Sequence, residues 1–207
     1  MNHPNSLNQL EKKAFRYDAQ DGFTEFLGGI LFFFVARAAM DPHLAWVPAL
    51  LIFPMRWASR FFKEKFTYPR IGYVKLKSEE GKAMGRGMLG HLGIVLGIMA
   101  VALLVLGDVT SWDMWRKWLP ALAGGLTSGG FFYLAGRSGM WRHRLLAVFC
   151  IAWGIACSVM WTGGFREAFS RWALGVGLVT LMMGVVVFLI FVKTHPVRDR
   201  EVADEWN

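Results

Sequence analysis

The sequence predicts an all-α membrane protein, a bundle of about six transmembrane helices with both termini in the cytoplasm. The 207-residue chain is 55% hydrophobic and only 18% charged, which is more apolar than an ordinary soluble domain of this size. Its apolar stretches run for about 18 to 21 residues, the length that a helix needs to cross a bilayer core of about 30 Å. Composition and segment length therefore indicate the same solvent, a lipid bilayer.

The apolar segments follow a polar N-terminal segment, residues 1–21, which lacks the short apolar core of a cleaved signal peptide. The bundle is predicted over residues 22–193, with a cytoplasmic tail at 194–207. Within the bundle we expect spans at residues 23–40, 43–62, 88–106, 118–136, 145–164 and 173–192. The second contains Pro48 and Pro54, so a re-entrant hairpin is the alternative to a full crossing.

The distribution of Lys and Arg predicts the orientation of these spans. Of the 23 Lys and Arg residues, 18 fall on the side of the two termini, which includes a basic loop at residues 63–87. The other side holds only five, namely Arg37, Arg116, Lys117, Arg166 and Arg171. Cytoplasmic loops of membrane proteins are enriched in Lys and Arg, so the termini and the basic loop are predicted to be cytoplasmic. Topology thus explains the net charge of +8, and no nucleic-acid partner is expected.

Acidic residues cluster where the first span begins. Helical spacing would place Asp18, Asp21 and Glu25 within an arc of about 60°, with Gly29 on the same face. Three carboxylates at the mouth of a span could bind a cation or carry protons, and Glu25 lies deepest in the apolar run. The alternative is an amphipathic lead-in helix whose acids are solvated or paired with Lys63, Lys65 or Arg70.

The basic loop combines cations with aromatic side chains. We predict that it binds lipid headgroups or a protein partner, because cations next to a membrane attract anionic headgroups. An extended conformation is expected around Pro69, since the residue before a proline disfavours helix. Ordinary topological charge is the competing interpretation. The candidate binding residues are Lys65, Tyr68, Arg70, Tyr73 and Lys75.

Two short strings carry a family resemblance. The pairs Arg16-Tyr17 and Asp21-Gly22, together with Phe66-Thr-Tyr-Pro-Arg-Ile-Gly-Tyr-Val-Lys75, resemble a set of small uncharacterised bacterial integral membrane proteins with a TYPRIGYVK-type cytoplasmic loop. The resemblance covers residues 16–77. It implies a multi-pass protein of the bacterial inner membrane, and it implies no activity.

The other predicted spans contain a glycine-rich run, one histidine and two cysteines. Residues 124–130 contain four glycines and two hydroxyls, a composition that favours close helix packing over an unwound ion site. His91 is expected to be the only membrane histidine, so no metal or haem site is predicted. Cys150 and Cys157 lie too far apart on one helix to form a disulfide and are predicted to pack. No cofactor is expected.

Three functional hypotheses follow from this distribution of polarity. The leading one is a non-enzymatic accessory or regulatory component that binds lipid headgroups or a protein partner, either a second copy of the chain or another membrane protein. The first alternative is a small cation- or proton-coupled transporter or channel that uses Asp21, Glu25 and residues 124–130 and needs a dimer, because six spans enclose little volume. The second is an interfacial membrane enzyme acting on lipid through Asp18, Asp21, Glu25 and His91.

Overall fold

The computed structural model describes residues 12–13, 15–17, 19–71, 89–97, 112–160 and 163–196, with side chains from residue 115 in the fifth range. Within these ranges the regular structure is entirely helical and contains no strand. The all-α prediction is therefore confirmed for this part of the chain. Asp18, Tyr73 and Lys75 lie outside the described residues.

Seven helices follow the helical residues 12–13, 15–17 and 19 in the described part of the chain. They are α1 (Phe23–Met40), α2 (Val47–Phe62), α3 (Tyr68–Ile71), α4 (residues 89–97), α5 (Trp112–Ser138), α6 (Trp141–Met160) and α7 (Phe165–Thr194). A 3₁₀ turn, Pro42–Leu44, connects α1 to α2, and a π-helical turn, Lys63–Thr67, connects α2 to α3. Among the described helices, α1, α6 and α7 are long and apolar enough to cross a membrane.

The long helices pack as antiparallel pairs, α1 against α7 and α5 against α6, and α6 also contacts α7. Near one end of the first pair, Gly22 lies beside Gly184. Near the other end, Ser170 Oγ donates a hydrogen bond of 3.0 Å to the carbonyl oxygen of Ala36. The starts of α1 and α6 therefore lie at the same end of the bundle as the ends of α5 and α7. We call this end the polar end, because it holds Asp21, Glu25, Thr67, Arg142 and His143.

Glycines allow the helix backbones to approach closely. A Cβ atom on Gly29 would lie 2.6 Å from the backbone nitrogen of Leu181, and one on Gly154 would lie 2.6 Å from the carbonyl oxygen of Pro120. Three of the four glycines in residues 124–130 behave in the same way: a Cβ on Gly124 would collide with the Cys150 carbonyl of α6, and Gly125 and Gly129 lie against α4, whereas a Cβ on Gly130 would meet nothing within 4 Å. Close packing of this glycine run is thus confirmed, as is the packing role of the two cysteines, which are free and buried.

The helix that begins at Val47 continues through the π turn as far as Ile71. The extended conformation expected around Pro69 is therefore wrong. The physical reason is the π turn, in which Tyr68 N donates to the carbonyl oxygen of Lys63. Because the π turn replaces the regular i→i−4 hydrogen bonds just before Pro69, a residue without an N–H group is accommodated while the helix continues. The polar end of α2 is fixed by Phe62, which stacks on Phe23 at a centroid distance of 4.1 Å.

Candidate functional site: a buried polar cluster at one end of the bundle

Glu25 is the centre of the polar cluster. It lies in the first turn of α1 and is only 3% exposed. Its Oε1 atom is 2.8 Å from Arg142 Nε and 2.8 Å from His143 Nε2. The carboxylate of Glu25 is therefore neutralised by the first turn of α6, and not by the basic residues 63–70 that the sequence offered as partners.

Arg142 and His143 are buried because α6 begins at Trp141, about one turn before the apolar run. They share a face with Leu146, Ala147 and Cys150, all of which are buried. The preceding connection is short, and Gly139 adopts a left-handed φ of 66° within it. His143, which the sequence analysis did not single out, is 2% exposed in the first turn of a helix that is long and apolar enough to cross a membrane.

Ser138 orients the imidazole of His143. Its Oγ lies 3.0 Å from His143 Nδ1 and 2.7 Å from the carbonyl oxygen of Leu134. The hydroxyl has one proton, so it donates to only one of these two atoms. With Glu25 ionised and accepting from Nε2, a Ser138 hydroxyl that donates to Leu134 requires a proton on Nδ1 as well, whereas one that donates to Nδ1 requires a neutral ring. Ser138, His143 and Glu25 thus form a hydrogen-bonded chain with two arrangements, which differ by one proton on His143.

The cluster also fastens the N-terminal segment to the bundle. Arg142 Nη2 donates to the carbonyl oxygen of Ala19. Arg16 Nε donates to the carbonyl oxygen of Ser138 at 3.2 Å. These contacts connect residues more than 120 positions apart in sequence. One guanidinium therefore binds Glu25 and the segment that precedes α1 at the same time.

Asp21 is fully buried beside this cluster but has its own partners. Its Oδ1 accepts from Phe23 N at 3.0 Å, and its Oδ2 accepts from Thr67 Oγ1 at 2.8 Å. Gly22, with a φ of 72°, breaks the helix between Asp21 and Glu25. The expected continuous helical stripe from Asp18 is therefore interrupted, although Asp21, Glu25 and Gly29 are all buried. The hydrogen bond between Asp21 and Thr67 therefore connects the start of α1 to the π turn that follows α2.

The basic candidates differ in how far they are engaged. Lys65 is exposed, with its Nζ 5.9 Å from the centre of the Phe66 ring. Tyr68 is half-buried. Arg70 Nη1 donates to the carbonyl oxygens of His195 and Val192, at 2.7 and 3.4 Å. These carbonyls lie at the C-terminal end of α7, where the helix dipole favours a cation, so Arg70 serves the fold whatever else it binds.

His91 belongs to a different contact. Its Nε2 lies 2.8 Å from the Gly125 carbonyl oxygen and 3.4 Å from Ser128 Oγ, so it joins α4 to α5. Within the described ranges, no three His, Cys, Asp or Glu residues come together as a metal site. Glu25 and His143 alone would offer two ligands, and the neighbouring Arg142 guanidinium would repel a metal cation. The cluster thus suits charge pairing and proton placement better than metal binding.

Arg142, His143 and Ser138 are the residues that sequence reasoning missed. The signal for Arg142 and His143 was the spacing of residues 142, 143, 146, 147 and 150, which places them on the buried face of α6; Ser138 belongs to α5 and had no such signal. No protein-family model, curated protein or solved structure matches this chain. Assignment of a function therefore rests on the geometry of the chain itself.

Proposed function

We propose that this chain is a non-enzymatic accessory or regulatory component of the bacterial inner membrane. In this proposal it crosses the bilayer about six times with both termini in the cytoplasm. Its basic cytoplasmic surface then binds anionic lipid headgroups or a membrane-protein partner. In this proposal the polar end faces the cytoplasm. The buried cluster stabilises one arrangement of the helices at that end.

The observation that carries the proposal is the closed packing around the polar groups of the bundle. Glu25 is paired with Arg142 and His143, and residues 124–130 pack against α6 and α4. A transporter needs these two regions to share a polar cavity near the midplane. Within the described chain, Glu25 and the glycine run instead make separate contacts. This arrangement favours the accessory component over the transporter.

The basic surface supplies the binding chemistry in this proposal. Lys65 is exposed at the polar end, and Arg56 and Arg60 are exposed one turn apart on α2. Trp57 and Phe61, 70% and 51% exposed, lie beside these arginines. Cations next to exposed aromatic rings suit the headgroup boundary, where each cation contributes on the order of 1 kcal/mol towards anionic lipid.

One observation favours the alternative, a proton-coupled transporter. The Oε2 atom of Glu25 is buried and accepts no hydrogen bond within the described chain, while Ser138 and His143 form a hydrogen-bonded path to the other oxygen. A buried ionisable group in a membrane helix is often part of a proton path. The two functions are separable by experiment, because only one of them moves protons.

Reconstitution and cross-linking together test the proposal. The accessory function predicts that proteoliposomes containing the chain leak protons no faster than empty liposomes, with or without an imposed potential. It also predicts that a photoreactive amino acid replacing Lys65 cross-links in cells to phospholipid or to one discrete protein, whereas the same probe replacing Arg166, at the opposite end of the bundle, does not cross-link to that protein. Proton flux that Glu25→Gln abolishes would instead establish the transporter.

A further inference from the structure

A groove of about 530 Å³ lies on the surface formed by α1, α6 and α7, away from the polar cluster. One wall is the stripe Trp153, Ala156, Cys157 and Met160 of α6, and the other is the stripe Arg171, Leu174, Gly175 and Leu178 of α7. Both stripes have the i, i+3, i+4, i+7 spacing of a single helix face. The groove therefore runs along the helices for about 10 Å, seven residues of helical rise.

The groove is held in shape by Trp153. Its Nε1 donates to the carbonyl oxygen of Arg171 at 3.3 Å, and its ring stacks on Phe149 at 6.1 Å. The indole lies against Gly175, where a Cβ atom would collide with it. The groove thus depends on a glycine and a tryptophan fixed by a hydrogen bond, and is not an incidental gap between side chains.

The groove opens to the surroundings and is almost entirely apolar. Met160 and Leu178, at its edges, are 77% and 51% exposed. The three helices that form it are each long and apolar enough to cross a membrane. When these helices cross a bilayer, the groove faces the hydrocarbon core. The molecule available to fill it there is the acyl chain of a lipid.

Arg171 lies at the end of the groove that is nearest to the start of α7. It follows Phe165 by six residues, or about 9 Å of helix, so its long side chain reaches the headgroup level from an apolar surrounding. Basic side chains between membrane helices attract anionic lipid headgroups. An apolar groove that ends in a guanidinium therefore matches the two halves of an anionic phospholipid.

We propose that this groove binds one anionic phospholipid, with an acyl chain along Trp153 and Leu178 and its phosphate at Arg171. The site lies at the end of the bundle opposite to Lys65 and the polar cluster. It is independent of the proposed function, because it needs neither the basic cytoplasmic surface nor a protein partner. The occupant is a structural lipid that is selected by headgroup charge.

Native mass spectrometry of the full chain tests this site. The protein is released from micelles that contain equal amounts of phosphatidylglycerol and phosphatidylcholine with identical acyl chains. We expect one phosphatidylglycerol to be retained in preference to phosphatidylcholine. Arg171→Gln should lower that retention about fivefold, the factor that corresponds to one cation near a phosphate. Leu178→Trp should abolish the retention of phosphatidylglycerol by filling the groove. Because residue 178 is exposed, misfolding would not explain this loss.

Two controls make the outcome decisive. Arg37→Gln removes an exposed arginine at the same end of the bundle and should retain the parent level of phosphatidylglycerol. Lys65→Gln removes an exposed cation at the polar end and should also leave this lipid in place. Equal retention of the two lipids by the parent chain, unchanged retention in Arg171→Gln and Leu178→Trp, or a loss confined to Lys65→Gln would each overturn the proposal.

Discussion

Arg142→Ala is expected to destabilise the fold by about 3–5 kcal/mol, because it leaves the carboxylate of Glu25 buried without its cation. The 2.8 Å separation of Arg142 Nε from Glu25 Oε1, and the 3% exposure of Glu25, place this pair among buried ion pairs. The loss also includes the hydrogen bond from Arg142 to Ala19. Unfolding of the purified protein in one detergent, followed by tryptophan fluorescence, measures the change in free energy.

The matched control is Arg37→Ala, at the other end of α1. Arg37 is 3.9 Å from Asp41, with side-chain exposures of 64% and 35%. Exposed pairs of this kind contribute about 0–1 kcal/mol. The double variant Glu25→Leu with Arg142→Leu should regain part of the lost stability, since apolar residues can replace a buried pair. Similar small losses for Arg142→Ala and Arg37→Ala would show that Glu25 is not held as described.

Gly184→Ala is expected to destabilise the α1–α7 contact by about 1–3 kcal/mol, the usual cost of overpacking. The added Cβ would meet the backbone of Phe26, with the Cα atom at 2.8 Å, and would lie 2.9 Å from the carbonyl oxygen of Gly22. Backbone atoms cannot swing aside, so the two helices must separate. The same unfolding assay, together with a helix-separation label on α1 and α7, reports the effect.

Gly136→Ala is the control, because its expected effect on stability has the opposite sign. Gly136 lies in α5, and a Cβ atom there would meet nothing within 4 Å. Alanine at an open helical position is favoured over glycine by about 0.5–1 kcal/mol. The account therefore predicts that Gly136→Ala stabilises while Gly184→Ala destabilises. If both substitutions stabilised the protein, the close approach of α1 and α7 would be contradicted.

The sequence predicted the parts of the fold that depend on length and periodicity. Three apolar runs became α1, α6 and α7, which are the helices of the described ranges long and apolar enough to cross a membrane. Glu25, the acid deepest in an apolar run, proved to be buried, and Gly29 shares its buried face. These features depend only on local spacing, which is visible in a single sequence.

The partners of Glu25 could not be predicted, because they depend on tertiary structure. Arg142 and His143 sit beside a hydrophobic run, where charged residues usually indicate a loop at the headgroup level. Only the short α5–α6 turn and the packing of α6 beside α1 bring them to Glu25, which lies 118 positions from His143 in sequence. Distance along the chain gave no sign of this contact.

The errors around Pro69 and Gly22 have a common cause. Sequence reasoning assigns each residue one regular conformation, whereas the chain uses a π turn before Pro69 and a left-handed glycine at residue 22. The first allows a helix to continue where an extended segment was expected. The second ends the predicted helical stripe between Asp21 and Glu25. Both are single-residue adjustments that packing stabilises and that local propensity does not report.

The most direct test of the central proposal, a multi-pass protein whose polar end faces the cytoplasm, is cysteine labelling with a membrane-impermeant maleimide. The buried Cys150 and Cys157 are first replaced by alanine, and Lys65→Cys and Arg166→Cys then place single thiols at exposed sites at opposite ends. We expect labelling of Arg166→Cys from outside spheroplasts and of Lys65→Cys only in everted vesicles. Labelling of Lys65→Cys from outside, or of both variants from one side, would contradict it.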